Sequence, residues 1–165
     1  MWEEKAKNLQ KGNKMQIRKA TLDDIPELIS LRKKQLIDEG SSVTEDIDTG
    51  LYKFFLSKIL DNSMVELVAE VDGEMIATAA IIVYDFPPSF SNKNGKKGYI
   101  ASVYTKPEYR RQGIATTLVN RVVAIGKERG IKKFFLHASD LGKPVYLKCG
   151  FKDTGDWLTY EVTNH

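Results

Sequence analysis

Hydrophobic positions in the first third of the chain repeat with helical spacing twice. Apolar residues at 25–36 keep the three-to-four-residue spacing of an amphipathic helix, and Gly40 is a natural end to it. A second pattern of this kind covers residues 47–59. Residues 15–19 alternate weakly between apolar and polar side chains, which predicts an edge strand before the two helices. The chain is therefore expected to begin with one strand followed by two helices.

The middle of the chain changes to β-rich runs. Residues 65–71 and 74–84 predict an antiparallel hairpin, because Asp72-Gly73 between them suits the positive φ angles of a tight turn. The stretch FPPSFSNKNGKK that follows is typical of a flexible surface loop. Residues 99–105 predict another strand.

In the last third of the chain, helical and strand patterns follow one another. Residues 114–130 carry two adjacent apolar rows of a helix, and residues 133–138 return as a strand, which makes a β-α-β crossover. A short helix is expected at 144–148, and two final strands are expected at 151–153 and 157–162. This order of elements predicts an α/β fold class.

Composition limits the function more than it defines it. The 165 residues are 42% hydrophobic and 28% charged, which suits one domain. The net charge of +3 is too small to indicate nucleic-acid or membrane binding without clustering. A single cysteine, Cys149, excludes an intrachain disulfide and a cysteine-rich zinc site, so a reducing, cytoplasmic location and no metal are expected. The longest apolar stretch, residues 75–83, is about half of the ~20 residues that a membrane-spanning helix needs.

The first 14 residues differ in character from the rest. They carry four lysines and little apolar material, and they lack the apolar core of a signal peptide. Residues 1–14 are therefore expected to be a tail or a short docking segment, and residues 15–165 the single domain.

The segment YRRQGIAT, residues 109–116, joins a strand end to an amphipathic helix. A helix N-terminus leaves about four backbone N–H groups unpaired and carries roughly half a positive charge, which favours a phosphate. Gly113 would let that phosphate approach the backbone, and Arg110 and Arg111 would add charge-assisted contacts. Taken alone, the segment is explained more simply by an ordinary strand-to-helix turn with two solvated arginines.

A second motif, LGKPVYLKCGF, lies about thirty residues downstream. Together the two motifs resemble the Gcn5-related N-acetyltransferase superfamily, in which an Arg/Gln-x-x-Gly-x-Gly/Ala turn holds the pyrophosphate of acetyl-coenzyme A and a Tyr-x-x-x-Gly-Phe segment follows. Thr105 and Ala115 depart from the commonest family residues but are tolerated variants. The resemblance covers about residues 15–162 and implies that family's fold, a mixed central β-sheet flanked by helices.

The resemblance also implies a set of residues that hold acetyl-coenzyme A. Backbone N–H groups of residues 111–115 and the Thr116 hydroxyl would surround the pyrophosphate, and a backbone N–H of residues 103–105 would polarise the thioester carbonyl. Lys148 would border the cofactor, although a solvated helix face explains it and Lys143 equally well. The implied cofactor-binding residues are Val103, Tyr104, Thr105, Arg110, Arg111, Gln112, Gly113, Ile114, Ala115, Thr116, Ser139 and Lys143.

Tyr146 matches the family tyrosine whose hydroxyl protonates the departing thiolate. An ordinary tyrosine pKa near 10 keeps such a group protonated at neutral pH. The alternative is a tyrosine packed under the C-terminal strands. The base that deprotonates the attacking amine stays open among the following residues: Glu45, Asp46, Glu70, Asp85 and His137.

The expected function is transfer of the acetyl group of acetyl-coenzyme A to a primary amine, of a small molecule or a protein, by direct attack in a ternary complex. The alternative is an acyl-coenzyme A-binding sensor without turnover. A generic nucleotide-binding protein is disfavoured because the chain lacks Gly-x-Gly-x-x-Gly and Gly-Lys-Ser/Thr. Neither nucleic acid nor membrane is expected as a partner, since Lys93, Lys96 and Lys97 alone do not make a basic face. The sequence leaves open whether the protein forms a homodimer.

Overall fold

The computed structural model of the protein describes residues 14–162, so the tail predicted for residues 1–14 lies outside the described residues except for Lys14. The strands are β1 (Gln16–Lys19), β2 (Met64–Val71), β3 (Glu74–Asp85), β4 (Lys96–Thr105) and β5 (Phe134–Phe135). The helices are α1 (Ile25–Asp38), α2 (Asp48–Leu60), α3 (Ile114–Glu128) and α4 (Lys143–Lys148). Short 3-10 turns cover Leu22–Asp24 and Pro107–Tyr109.

The five strands form one mixed sheet in the order β1-β2-β3-β4-β5. The first four pair antiparallel, and β5 pairs parallel to β4 after the crossover through α3. Asp72 and Gly73 join β2 to β3 with φ angles of 53° and 76°, which confirms the predicted hairpin turn. The predicted α/β class is confirmed.

Helices cover both faces of the sheet, which explains why β2 and β3 are apolar along almost their whole length. On one face, Leu118 and Val122 of α3 enter a core with Ile76 and Ile81 of the sheet. On the other face, residues of α1 and α2 such as Phe55 pack on the opposite side of the same strands. The sheet is therefore buried on both sides, and its open parts are its edges.

Two glycines allow β5 to fit beside β4 and α3. A Cβ added to Gly98 would lie 2.9 Å from the Phe134 ring, and one added to Gly126 would lie 2.5 Å from it. The ring therefore occupies space that only glycine leaves on both neighbours. This close packing fixes where β5 begins.

The C-terminal part differs from the sequence prediction. The strand predicted for residues 133–138 is reduced to Phe134–Phe135, and the prediction of strands at 151–153 and 157–162 is wrong, because residues 151–162 form no strand. Gly155 turns this segment with a φ of 63°. Trp157 then stacks on Phe135 at 5.6 Å between ring centroids. Side-chain stacking, rather than a backbone ladder, holds this segment beside β5.

The loop predicted after β3 is shorter than expected and is held by hydrogen bonds. Its last two residues belong to β4, and the side-chain amide of the buried Asn92 donates to the Lys96 carbonyl oxygen at 3.0 Å. No helix in the part of the chain that the structure describes is long and apolar enough to cross a membrane.

Candidate active site

The turn between β4 and α3 exposes an unsatisfied helix N-terminus. Arg111 and Gly113 have φ angles of 62° and 76°, and an added Cβ at Gly113 would meet no atom within 4 Å. The first backbone bond of α3 runs from the Thr117 N–H to the Gly113 carbonyl, so the N–H groups of the three residues between them have no helical partner. Helix α3 also lacks a side-chain cap and an acidic residue in its first turn. The turn therefore offers free donors and positive potential to an anion.

Arg110 does not face this turn as a free cation. Its Nε donates to the Thr105 carbonyl oxygen at 2.9 Å, and its Nη2 donates to the Asp38 carboxylate at 2.7 Å. The Tyr104 hydroxyl donates to the same carboxylate at 3.0 Å. These two contacts, with that of Arg110 the larger, lower the pKa of Asp38. Arg110 thus joins the turn to β4 and α1, whereas Arg111 and Gln112 are exposed.

Strand β4 has an open edge where β5 leaves it. The parallel pairing ends at Tyr99 and Phe135, and no strand of the described residues pairs with that side of residues 100–105. Ser102, with a φ of 52°, forms a bulge in this stretch, and its carbonyl accepts a hydrogen bond from the Thr78 hydroxyl at 2.7 Å. An extended ligand can pair with such an edge as an added strand would.

Val103, Tyr104 and Thr105 lie at the end of this open edge, next to the turn before α3. The Val103 carbonyl accepts a hydrogen bond from the Gln35 side chain at 3.2 Å. The Thr105 hydroxyl oxygen is buried and has no hydrogen-bond partner within residues 14–162. The strand end and the helix start therefore form one continuous surface.

Helix α4 places Tyr146 beside the first turn of α3, where the Cys149 thiol lies 3.8 Å from the Thr116 carbonyl oxygen. Tyr146 is 9% exposed, and its ring packs edge-on against Phe151. Among the described residues, its hydroxyl has no hydrogen-bond partner. Burial raises the pKa of Tyr146 to about 12, with the charge of Glu39 as the next cause. The hydroxyl therefore stays protonated at neutral pH.

Ser139 and Lys143 lie at the start of α4 with their polar atoms engaged. The Ser139 hydroxyl accepts a hydrogen bond from the Gly142 N–H at 3.2 Å. The Lys143 ammonium pairs with Asp153 at 2.8 Å, which raises the pKa of Lys143. Lys148 is exposed at the end of the helix.

Four of the five base candidates lie away from this surface. Asp46 accepts a backbone hydrogen bond in its own loop, and Glu45 is exposed beside it. Glu70 pairs with an arginine of β1, and Asp85 pairs with a lysine of β4. His137 alone borders the open edge, with its ring 6.4 Å from a tyrosine ring of β4. No group of three or more metal-ligating side chains occurs in residues 14–162.

A row of polar side chains on α1 was not predicted. Arg32 donates to the Gln35 side-chain oxygen at 2.9 Å, and Gln35 donates to Glu39 at 3.1 Å as well as to Val103. The charge of Glu39 raises the pKa of Tyr146, so this row lies near the tyrosine. The signal in the sequence was polar residues at i, i+3 and i+7 of an otherwise apolar helix face.

A buried carboxyl on β2 was also not predicted. Glu66 is 3% exposed, and its Oε2 has no hydrogen-bond partner within the described chain. Burial raises the pKa of Glu66 to about 8, and the charge of Arg32 opposes that rise. The signal in the sequence was a single charged residue in the apolar stretch from Met64 to Ala69.

Comparisons with known proteins agree on one family. A crystal structure described as a predicted acetyltransferase with acetyl-CoA, from Clostridium acetobutylicum, is 50% identical, with a TM-score of 0.87 and coverage of 90% of this chain and 96% of that one. An N-alpha-acetyltransferase of Sulfurisphaera tokodaii is 28% identical over 152 residues, which are 87% of this chain and 83% of the relative. A probable glucosamine 6-phosphate N-acetyltransferase of Oryza sativa is 31% identical over 100 residues, 58% of each chain.

The profile of the Acetyltransferase (GNAT) family matches residues 26–151, a range that includes the open edge of β4, the turn before α3 and Tyr146. Together with the fold that the chain shares, at 50% identity, with a predicted acetyltransferase solved with acetyl-CoA, this match makes the chain an acetyl-CoA-dependent N-acetyltransferase of the GNAT family.

Proposed function

We propose that the protein transfers the acetyl group of acetyl-CoA to a primary amine by direct attack, with both substrates bound together. The observation that carries the proposal is the open edge of β4, residues 100–105, which runs between the uncapped start of α3 and the free hydroxyl of Tyr146. Along this surface, the start of α3 can bind a pyrophosphate and the β4 edge can pair with an extended arm. The Tyr146 hydroxyl can donate a proton to a departing sulfur.

The chain would hold acetyl-CoA mainly through its backbone. The free N–H groups at the start of α3 and the Thr116 hydroxyl would bind the pyrophosphate. The unpaired edge of β4 would bind the pantetheine arm, and a backbone N–H of residues 103–105 would polarise the carbonyl. Acetyl-CoA supplies an acetyl group already activated as a thioester. Arg110 would position the turn instead of binding phosphate, because Asp38 and Thr105 hold its guanidinium.

Tyr146 would supply the proton that the sulfur needs when its bond to the acetyl carbon breaks. Its pKa of about 12 keeps the hydroxyl protonated, and no described residue competes for that hydrogen. The attacking nitrogen, which must shed a proton after forming its bond to carbon, can restore the tyrosine. This exchange keeps Tyr146 unchanged over a turnover.

The acceptor would lie against the polar row of α1 formed by Arg32, Gln35 and Glu39. Arg32 and Glu39 offer one positive and one negative group to a polar amine, and the buried Gln35 between them holds both through its side-chain amide. The two named relatives are an N-alpha-acetyltransferase and a probable glucosamine 6-phosphate N-acetyltransferase, and both names denote transfer to an amine nitrogen. A small-molecule or protein amine is the corresponding acceptor class for this chain.

Two measurements on the full chain test this function. Acetyl-CoA is expected to raise the melting temperature, since binding to the native state alone adds about 2.7 kcal/mol at a hundredfold excess over Kd. ATP and NAD serve as controls that are expected to produce no shift. Thiol release is then followed with lysine, glucosamine 6-phosphate and peptide N-termini. A shift without thiol release from any amine would favour an acyl-CoA sensor, and no shift would contradict the site.

A further inference from the structure

Gln35 is a buried glutamine on a helix face that is otherwise apolar. It is 7% exposed, and the other buried side chains of α1 are isoleucines and leucines. Its amide oxygen accepts a hydrogen bond from Arg32 at 2.9 Å, and its nitrogen donates to Glu39 at 3.1 Å and to the Val103 carbonyl oxygen at 3.2 Å. An arginine can only donate, whereas an ionised carboxylate and a carbonyl oxygen can only accept. All three partners therefore require the same orientation of the amide.

This amide places two opposite charges beside β4. Arg32 and Glu39 are about two turns apart on α1, which is ~10 Å along the helix axis. Because both side chains bond to one amide, their charged ends lie within ~8 Å of each other. The Glu39 carboxylate also lies within ~6 Å of the Val103 carbonyl oxygen, since both accept from the same nitrogen. The two charges therefore border the strand end where a backbone N–H would polarise the thioester.

The same two charges act on tyrosines at the open edge. Burial is the main cause that raises the pKa of Tyr99, the last residue of β4 that pairs with β5. The charge of Arg32 lowers that pKa, and the charge of Glu39 raises it. For Tyr146, Glu39 is the next cause after burial. Electrostatic effects weaken with distance, so both charges lie on the side of α1 that faces the open edge.

Neither charge is neutralised within the described chain. Lys33 and Asp38, their neighbours on α1, are each ion-paired at 2.7 Å. Arg32 and Glu39 form no ion pair among residues 14–162, and the glutamine amide holds each of them through one hydrogen bond. Within that range, one carboxylate oxygen and the remaining N–H groups of the guanidinium have no partner. These groups can therefore bind a ligand without breaking an existing ion pair.

We propose that Glu39 binds the amine of the acceptor, that Arg32 binds an anionic group a few bonds away in the same molecule, and that Gln35 positions both. The inference rests on the proposed function and gives its acceptor a class, a small amine that also carries a carboxylate or a phosphate. Glu39 is exposed, so a bound ammonium can release one proton to solvent and remain on the carboxylate as a neutral amine. That nitrogen then attacks the acetyl carbon.

The charge pattern disfavours other classes of acceptor. A diamine would bring a second cation to Arg32, and like charges placed side by side weaken binding. A simple alkylamine would leave the guanidinium without an anionic partner. An amine with a carboxylate or a phosphate pairs with both charges, and such a group can accept two parallel hydrogen bonds from the guanidinium.

Matched pairs of amines test the anionic group. γ-Aminobutyrate is compared with butylamine, and phosphoethanolamine with ethanolamine, by thiol release from acetyl-CoA. In at least one pair, kcat/KM for the anionic member is expected to be higher by about tenfold or more. The pair that shows the preference also tells which anion the site takes. Equal values within both pairs, or faster transfer to a peptide N-terminus without an acidic side chain, would overturn the proposal.

Variants of the two charged residues separate their roles. Arg32→Gln is expected to remove the preference by raising KM for the anionic amine alone. Lys34→Gln, an exposed cation of the same helix, is the matched control and should keep the preference. Glu39→Gln is expected to raise KM for every amine about tenfold and to keep the acetyl-CoA thermal shift. Glu128→Gln, an exposed carboxylate at the end of α3, is its control and should match the wild type.

Gln35→Leu tests the positioning role, because leucine keeps an apolar helix face but holds neither charge. It is expected to lose the preference for the anionic amine while its kcat with the uncharged member stays close to that of the wild type. A purely structural role would lower the melting temperature and leave the preference intact. A preference that survives Arg32→Gln would overturn the inference alone, whereas absence of thiol release from any amine by the wild type would overturn it together with the proposed function.

Discussion

Arg110 and Asp38, 72 positions apart in the chain, meet at 2.7 Å and join the last turn of α1 to the turn that begins α3. The same carboxylate accepts the Tyr104 hydroxyl, and the same guanidinium binds the Thr105 carbonyl oxygen. One ion pair therefore holds together the anion-binding turn, the end of β4 and the helix that carries the acceptor row. The Gln35 side chain adds a second link between the same helix and β4, to the Val103 carbonyl oxygen.

Asp38→Asn should weaken acetyl-CoA binding even though Asp38 itself is not proposed to contact the cofactor. The pair is partly exposed, so its loss is expected to cost about 0.5–1 kcal/mol and to raise Kd up to about fivefold. Titration calorimetry measures this change. Asp85→Asn breaks the comparable exposed pair with Lys96 and is the matched control, expected to leave Kd unchanged. Equal Kd values for both variants would show that Arg110 does not position the turn.

Gly113→Asp should abolish the acetyl-CoA thermal shift, because its carboxylate would stand at the uncapped start of α3. Gly130→Asp is a control with a similar backbone, since Gly130 has a φ of 79° against 76° for Gly113 and also faces open space. Both variants carry a left-handed residue penalty of roughly 1–2 kcal/mol. The control should therefore lose stability but keep the shift. If Gly113→Asp also keeps the shift, the pyrophosphate binds elsewhere.

Local signals made much of the fold predictable. Asp72-Gly73 specified its hairpin, and Gly130, with a positive φ after α3, ended the helix close to the predicted position. In both cases the sequence within about ten residues determines the backbone. The turn before α3 was identified differently, because its motif became informative only together with the second motif about thirty residues downstream and the family resemblance that the two motifs carry.

Features that depend on distant partners were not predictable in this way. The C-terminal segment has the residue types of a strand, but Trp157 meets the ring of Phe135 instead of a free strand edge. Arg110 is predicted as a phosphate ligand from its local motif, and no local signal indicates its ion pair with Asp38, which lies 72 positions away. Glu66 was one charged residue in an apolar strand, and its burial depends on partners outside that strand.

Asp24→Asn should destabilise the protein at neutral pH and hardly at all near pH 2. Hydrogen bonds from Arg18, followed by a backbone bond from Thr21, lower the pKa of Asp24 to about 2 against the opposing effect of burial. A depressed folded-state pKa means that its stabilisation is present above about pH 4 and is lost as pH falls toward 2. Denaturant unfolding should give a difference on the order of 1–2 kcal/mol at pH 7. A difference that does not shrink with acid would contradict the ion-pair explanation.

Tyr146→Phe should lower kcat far more than it weakens acetyl-CoA binding. Phenylalanine keeps the ring and its edge-on packing against Phe151, so only the hydroxyl is lost. A proton given in the transition state affects kcat and kcat/KM together, and general-acid catalysis contributes on the order of 10²–10⁴-fold. We expect the low end, because a thiolate is already a tolerable leaving group. Tyr160→Phe, at an exposed position, is the control and should match the wild type. Unchanged turnover with chemistry rate-limiting would make Tyr146 a packing residue, and loss of binding in a folded variant would give its hydroxyl a role in the ground state instead.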